Sequence, residues 1–179
     1  MCDQNFQMGL KAYRRGDYET AHREFLEAAK QDHAKAQAIL GLMYDNGEGI
    51  QKNSAEAARW YCRAAEQGDA EAQTNLGVMY RKGEGVQKND AEAARWFSTA
   101  AEQNLAEAQG NLGLMYRNGE GISRDYIEAY KWFNLAAMQG LEPAAAARDN
   151  LQQNMSRSQI AQARARSREW RPSSDAEEK

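Results

Sequence analysis

Residues 70–105 read AEAQTNLGVMYRKGEGVQKNDAEAARWFSTAAEQNL, and the strings on either side repeat them without a gap. Residues 34–69 read AKAQAILGLMYDNGEGIQKNSAEAARWYCRAAEQGD, and 106–141 read AEAQGNLGLMYRNGEGISRDYIEAYKWFNLAAMQGL. Neighbouring copies share more than half of their positions, which chance does not produce. A fixed period of this length marks an array of stacked units, each too thin to bury a core alone.

Each copy reads as two helices. Ala36, Ile39, Leu40, Met43 and Tyr44 recur at helical spacing and predict a first helix over 34–46. By register it recurs over 70–82 and 106–118. A Gly-Glu-Gly element then stops it, because glycine enters the left-handed region without a Cβ clash. Asn53, Asn89 and Asp125 stand where an N-cap is wanted, so the second helix starts near Ser54, Asp90 and Tyr126. It runs to about Gln67, Gln103 and Gln139. Gly41, Gly77 and Gly113 lie inside the first helix, where glycine costs about 1 kcal/mol relative to alanine. The reading is close approach of the paired helix, with Ala57, Ala64 and Ala65 offering the matching small surface and Trp60, Trp96 and Trp132 filling each layer.

Composition agrees. The chain has 179 residues, of which 32 are Ala but only 11 Leu, 5 Ile and 2 Val. Strand formers are scarce, so the fold class is all-α. The net charge of −3 gives no global drive toward nucleic acid. No apolar run is long enough to span a membrane. Met1-Cys2-Asp3-Gln4 lacks the basic and apolar regions of a signal peptide. A native Met1 would make the protein cytoplasmic. A removed leader would place it in the bacterial periplasm or envelope or make it secreted, with Cys2 a candidate acylated residue.

Residues 1–33 form an atypical first hairpin, in which Gly9 matches Gly41 and Ala21, Phe25, Ala28 and Ala29 match Ala57, Tyr61, Ala64 and Ala65. Residues 142–170 read as a capping hairpin. Its first helix has Pro143 near the start. Its second opens with the capping box Ser156/Gln159 and is apolar at Ile160, Ala163 and Ala165 but otherwise basic. A disordered tail is expected over 171–179.

The unit A-x-A-Q-x-x-L-G-x-M-Y-x-x-G-E-G, followed by E-A-x-x-W-[YF]-x-x-A-A-x-Q, closely resembles the Sel-1-like repeat (SLR), a relative of the tetratricopeptide repeat (TPR). Residues 34–141 carry the match. Gly16-Asp17-Tyr18-Glu19 and Ala21 make the first hairpin look more like a TPR unit, and 155–170 is similar to the C-terminal cap of bacterial members. The resemblance implies a right-handed α/α superhelix of about five antiparallel hairpins, working as an adaptor that binds proteins. Some members staple each hairpin with paired cysteines. Here Cys62 aligns with Ser98 and Asn134, so packing must replace the staple.

Constellations for chemistry are missing. His22 and His33 stand alone and read as surface imidazoles rather than metal ligands. No serine has lysine three residues later, the nucleophile pattern of serine β-lactam enzymes. The Gly-Glu-Gly loops lack the flanking strand and Lys-Ser/Thr of a phosphate cradle, and Glu48, Glu84 and Glu120 would repel phosphate. Cys62 reads as inert on the second helix. Arg157, Arg164, Arg166, Arg168 and Arg171 read as a solvated capping face followed by the acidic Asp175, Glu177 and Glu178. The expectation is a non-enzymatic, monomeric protein without catalytic residues, metal or cofactor. It would bind a protein or peptide partner rather than nucleic acid. The alternative is a β-lactam- or peptidoglycan-directed binder or weak hydrolase of the bacterial envelope.

In TPR arrays the partner lies on a concave face lined by the first helices. The positions that match are Phe6, Leu10, Tyr13 and Arg14; Ala38, Leu42, Asp45 and Asn46; Thr74, Asn75, Val78, Arg81 and Lys82; and Gly110, Asn111, Leu114, Arg117 and Asn118. The amides of Asn75 and Asn111 suit an extended backbone. Arg14, Arg81, Lys82 and Arg117 suit a segment with acidic or C-terminal carboxylate character.

Overall fold

The computed structural model describes the backbone of residues 2–173 and the side chains of 3–173. The expectations for Cys2 and for the acidic residues 175–178 lie outside those side chains. Among the described residues there are ten helices and no strand. They fall into two compact units, Met1–Lys88 and Asn89–Lys179.

The first unit holds α1 (Cys2–Arg14), α2 (Tyr18–Ala29), α3 (Ala34–Asn46), α4 (Ser54–Glu66) and α5 (Ala70–Lys82). Each packs on the next in chain order. The second holds α6 (Asp90–Glu102), α7 (Ala106–Asn118), α8 (Tyr126–Met138), α9 (Glu142–Gln152) and α10 (Arg157–Glu169). There α6 packs on α7 and α7 on α8, while both α9 and α10 pack against α8.

The helix limits follow from their caps. Asn53, Asn89 and Asp125 each accept two backbone N–H groups of the following helix. Gly47, Gly83 and Gly119 close α3, α5 and α7 in the left-handed region, and the Ser156/Gln159 capping box opens α10. The second glycine of each loop does different work. A Cβ on Gly85 would lie 2.1 Å from the Ser54 carbonyl oxygen, and one on Gly121 equally close to that of Asp90. The loop therefore lies directly on the first turn of the preceding repeat's second helix, where no side chain fits.

The helix-interior glycines face something other than the alanine surface expected of them. A Cβ on Gly41 would stand 2.6 Å from the Tyr61 ring, and one on Gly113 2.7 Å from the Phe133 ring. Gly9 meets Phe25 in the same way. The aromatic after the repeat's tryptophan lies flat over the glycine, and Ala57, Ala64 and Ala65 are buried elsewhere in the layer. The tryptophans are buried too, with cations over their rings: Arg95 at 4.1 Å from Trp96 and Lys131 at 4.1 Å from Trp132. Their indole N–H groups are buried with no acceptor among the described residues.

Three further expectations are corrected. His33 is not a bare surface imidazole: its Nδ1 accepts the Ala36 N–H at 3.2 Å and caps α3, while its ring stacks on Phe6. His22 is half-buried against the Tyr44 hydroxyl, and burial pushes its pKa below the ordinary value. Ala165 is exposed, and α10 buries Ala163 and Ser167 instead. Beyond α10, the Ser173 N–H donates to the Glu102 carbonyl at 2.9 Å. Trp170 stands edge-on to Trp132 on the way there.

Candidate partner-binding surface

The first helices position the candidate side chains, and in the first unit several of those have structural duties. Tyr13 donates to Glu48 at 2.5 Å, so it ties α1 to the next repeat's Gly-Glu-Gly loop. That carboxylate pushes the Tyr13 pKa up to about 12. Asn46 donates to the other oxygen of Glu48, and Lys82 pairs with Glu84. Phe6 and Leu10 pack against the core of the first two hairpins. Thr74 is buried, with its hydroxyl donated to the Ala70 carbonyl of its own helix. Arg14, Leu42 and Asn46 are exposed, and Ala38, Asp45, Asn75, Val78 and Arg81 are half-buried.

In the second unit the same positions enclose space. A hollow of about 320 Å³ opens between α7 and α9. Glu107, Gly110, Asn111 and Leu114 form one wall, and Leu141, Pro143, Ala144 and Ala147 form the other. Phe133 of α8 contributes to the lining. Gly110 creates part of the room, since a Cβ there would reach within 3.1 Å of Leu141 Cδ2. Arg117 and Asn118 stand further along α7. Arg117 lies over the Phe133 ring and donates to Asn118, which in turn donates to Glu120. The Asn111 amide donates to the Glu107 carbonyl at 2.9 Å, one turn back on the same wall.

Position-matching named Gly110, Asn111 and Leu114, which line this hollow, but not the residues of the α9 wall. One sequence signal was available. Where the third copy has Gln109, Gly110 and Asn111, the next has Ala145, Ala146 and Ala147. Such a run of small residues leaves the two helices without side chains to fill the gap.

The lining is chiefly apolar and includes one ionisable side chain, Glu107. A single carboxylate beside aliphatic carbon provides neither an acid–base pair nor a nucleophile with its base. Burying one leucine-sized side chain in such a hollow is worth about 1.5–3 kcal/mol. Among the described residues no group of three or more His, Cys, Asp and Glu could hold a metal ion. No helix among them is long and apolar enough to cross a membrane.

A family model described as Sel1 repeat matches residues 34–69, 70–105 and 106–141. Among solved structures, a Sel1 repeat protein from Oxalobacter formigenes is 40% identical over 80% of the chain, with a TM-score of 0.76. A protective antigen of uropathogenic Escherichia coli with an SLR fold is 28% identical over 95% of the chain, with a TM-score of 0.58. The chain spans 59% of the first protein and 45% of the second. No curated protein matches it. The likeness puts the ten helices in the all-α repeat class of these SLR structures.

Proposed function

This chain belongs to the Sel1 repeat family, and we propose that it is a non-enzymatic scaffold holding an extended protein segment against its first helices. Sel1 repeat proteins are in general protein-interaction scaffolds. The observation that carries the reading further is the α7–α9 hollow. Its apolar lining suits one aliphatic or aromatic side chain of a bound segment. Binding would bury carbon against carbon along most of the lining.

The test begins with affinity capture from the source cell and identification of the captured proteins by mass spectrometry. A recovered partner is then titrated against wild type and Leu114→Asp, which puts a charge on the half-buried wall of the hollow. Affinity reduced about tenfold or more supports the reading. Unchanged affinity in a variant of unaltered helicity sinks it. Nitrocefin turnover by the purified chain, abolished by substitution within the hollow, would replace it with the enzyme alternative.

A further inference from the structure

A second hollow in the same unit has the opposite chemistry. It lies between α8 and α10, has a volume of about 320 Å³, and is lined by Asn134, Met138, Arg164, Ser167 and Arg168. Most other basic side chains of the second helices and of α10 have a carboxylate. Arg95 pairs with Glu92, and both Lys131 and Arg166 pair with Glu128. Arg164 instead donates to neutral oxygens, the Tyr130 hydroxyl at 3.1 Å and Gln152 Oε1 at 3.4 Å. Arg168 has no ion pair among the described residues. Two guanidinium groups thus face one hollow without a neutralising acid among the described residues.

The floor carries the second clue. Met138 is 74% exposed, the most exposed large hydrophobic side chain among the described residues. Position 138 corresponds to Glu66 and Glu102 in the two preceding copies. A glutamate there would share the hollow with Arg168, so the third copy replaces an available ion pair with bare apolar surface. Asn134 is held in place beside it, its amide donating to Met138 Sδ and its oxygen accepting from Arg148.

We propose that the α8–α10 hollow is a second docking site, taking an acidic protein segment that seats one apolar side chain on Met138 between Arg164 and Arg168. Charge complementarity selects the segment, and the methionine rewards a carbon-rich residue within it. The α7–α9 hollow shares only α8 with it, through Phe133, so the scaffold would hold two segments of different chemistry at once.

The experiment is fluorescence anisotropy on the full chain with a labelled peptide of glutamates around a central leucine. Wild type should bind it, more weakly as salt is raised. Arg164→Gln with Arg168→Gln should lower affinity about tenfold or more. Met138→Glu, which restores the residue of the other copies at an exposed site, should do the same with an unchanged thermal midpoint. Wild-type affinity in Met138→Glu overturns the proposal, as does equal binding of a peptide with serine in place of leucine. Anionic vesicles binding with the same sensitivity to Met138→Glu would assign the site to membrane and overturn it. So would a gain of about tenfold on truncation after Ser173, since the chain's own acidic end would then be the occupant.

Discussion

Gln139 donates its side-chain amide to Gln109 Oε1 at 2.8 Å, and Gln109, fully buried, donates in turn to the Ala101 carbonyl at 3.2 Å. One glutamine thereby joins the end of α6 to the end of α8. The same relay runs through Gln37, which donates to Ala29 and accepts from Gln67. Each link adds a second donor to a carbonyl at a helix C-terminus, since the Asn104 N–H already donates to Ala101 and the Asp32 N–H to Ala29.

Gln109→Leu keeps the volume but leaves the Ala101 carbonyl and the Gln139 amide without these bonds. The expected loss is about 0.5–1.5 kcal/mol, the net worth of a typical internal hydrogen bond, because the Ala101 carbonyl keeps the Asn104 N–H and the Gln139 amide keeps Asn104 Oδ1. Thermal unfolding followed by circular dichroism checks it, with a fall in midpoint of roughly 2–4 °C for each kcal/mol. Gln37→Leu should cost a similar amount in the first unit. A midpoint equal to wild type in both variants would show that the relay does not stabilise the stack.

The relay also marks where legibility in the sequence stopped. Helix limits were readable because the signals are local: Asn53 caps its own helix and Gly47 ends its own. The buried glutamines were not, since glutamine is ordinarily a surface residue and nothing near Gln109 in sequence names its partner. The ring on Gly41 was half legible. Period supplied the phase of the close approach, but whether Ala57 or Tyr61 filled it depends on how the paired helix is rotated. Of the candidate surface, Gly110, Asn111 and Leu114 followed from register. The α9 wall did not, because the pattern that carried the register is broken there by Ala145, Ala146 and Ala147.

Gly121 and Gly140 separate two kinds of glycine requirement. Both have positive φ, +66° and +90°. Nothing lies within 4 Å of a Cβ at Gly140, whereas one at Gly121 meets the Asp90 carbonyl oxygen at 2.1 Å. Gly140→Ala should cost about 1–2 kcal/mol, the left-handed strain alone. Gly121→Ala should cost clearly more, because the loop must also lift off α6. Urea unfolding of the two variants side by side decides it. Equal losses would mean that the loop contact adds nothing.

Tyr13 should titrate late in alkali, although burial pushes the Tyr61 phenol higher still. Its pKa of about 12 is set first by the hydrogen bond to Glu48, then by burial and the same carboxylate's charge. The folded value lies above the unfolded one, so the contribution to stability is complete below about pH 10 and fades as pH rises toward 12. Ultraviolet difference titration of wild type against Glu48→Gln and Tyr13→Phe assigns the transition. Glu48→Gln should move it down toward the ordinary phenol value. A transition indifferent to Glu48→Gln would refute the bridge between α1 and the loop.

Gly110 offers a trade between stability and binding. The corresponding residues of the other copies are Ala38 and Thr74, so the helix itself tolerates a side chain there. Gly110→Ala recovers up to about 1 kcal/mol of helix propensity. Against this, the new Cβ lies 3.1 Å from Leu141 Cδ2, the far end of a flexible side chain that can turn aside. The variant should therefore unfold at a slightly higher temperature than wild type. It should also bind a partner of the α7–α9 hollow less well, because the methyl and the displaced Leu141 occupy the space a bound side chain needs. Calorimetry measures both quantities on the same preparation. A variant that is more stable and binds as tightly as wild type would remove the hollow from the binding surface while leaving the fold argument intact. One that is less stable would show that Leu141 is fixed and that this glycine is structural.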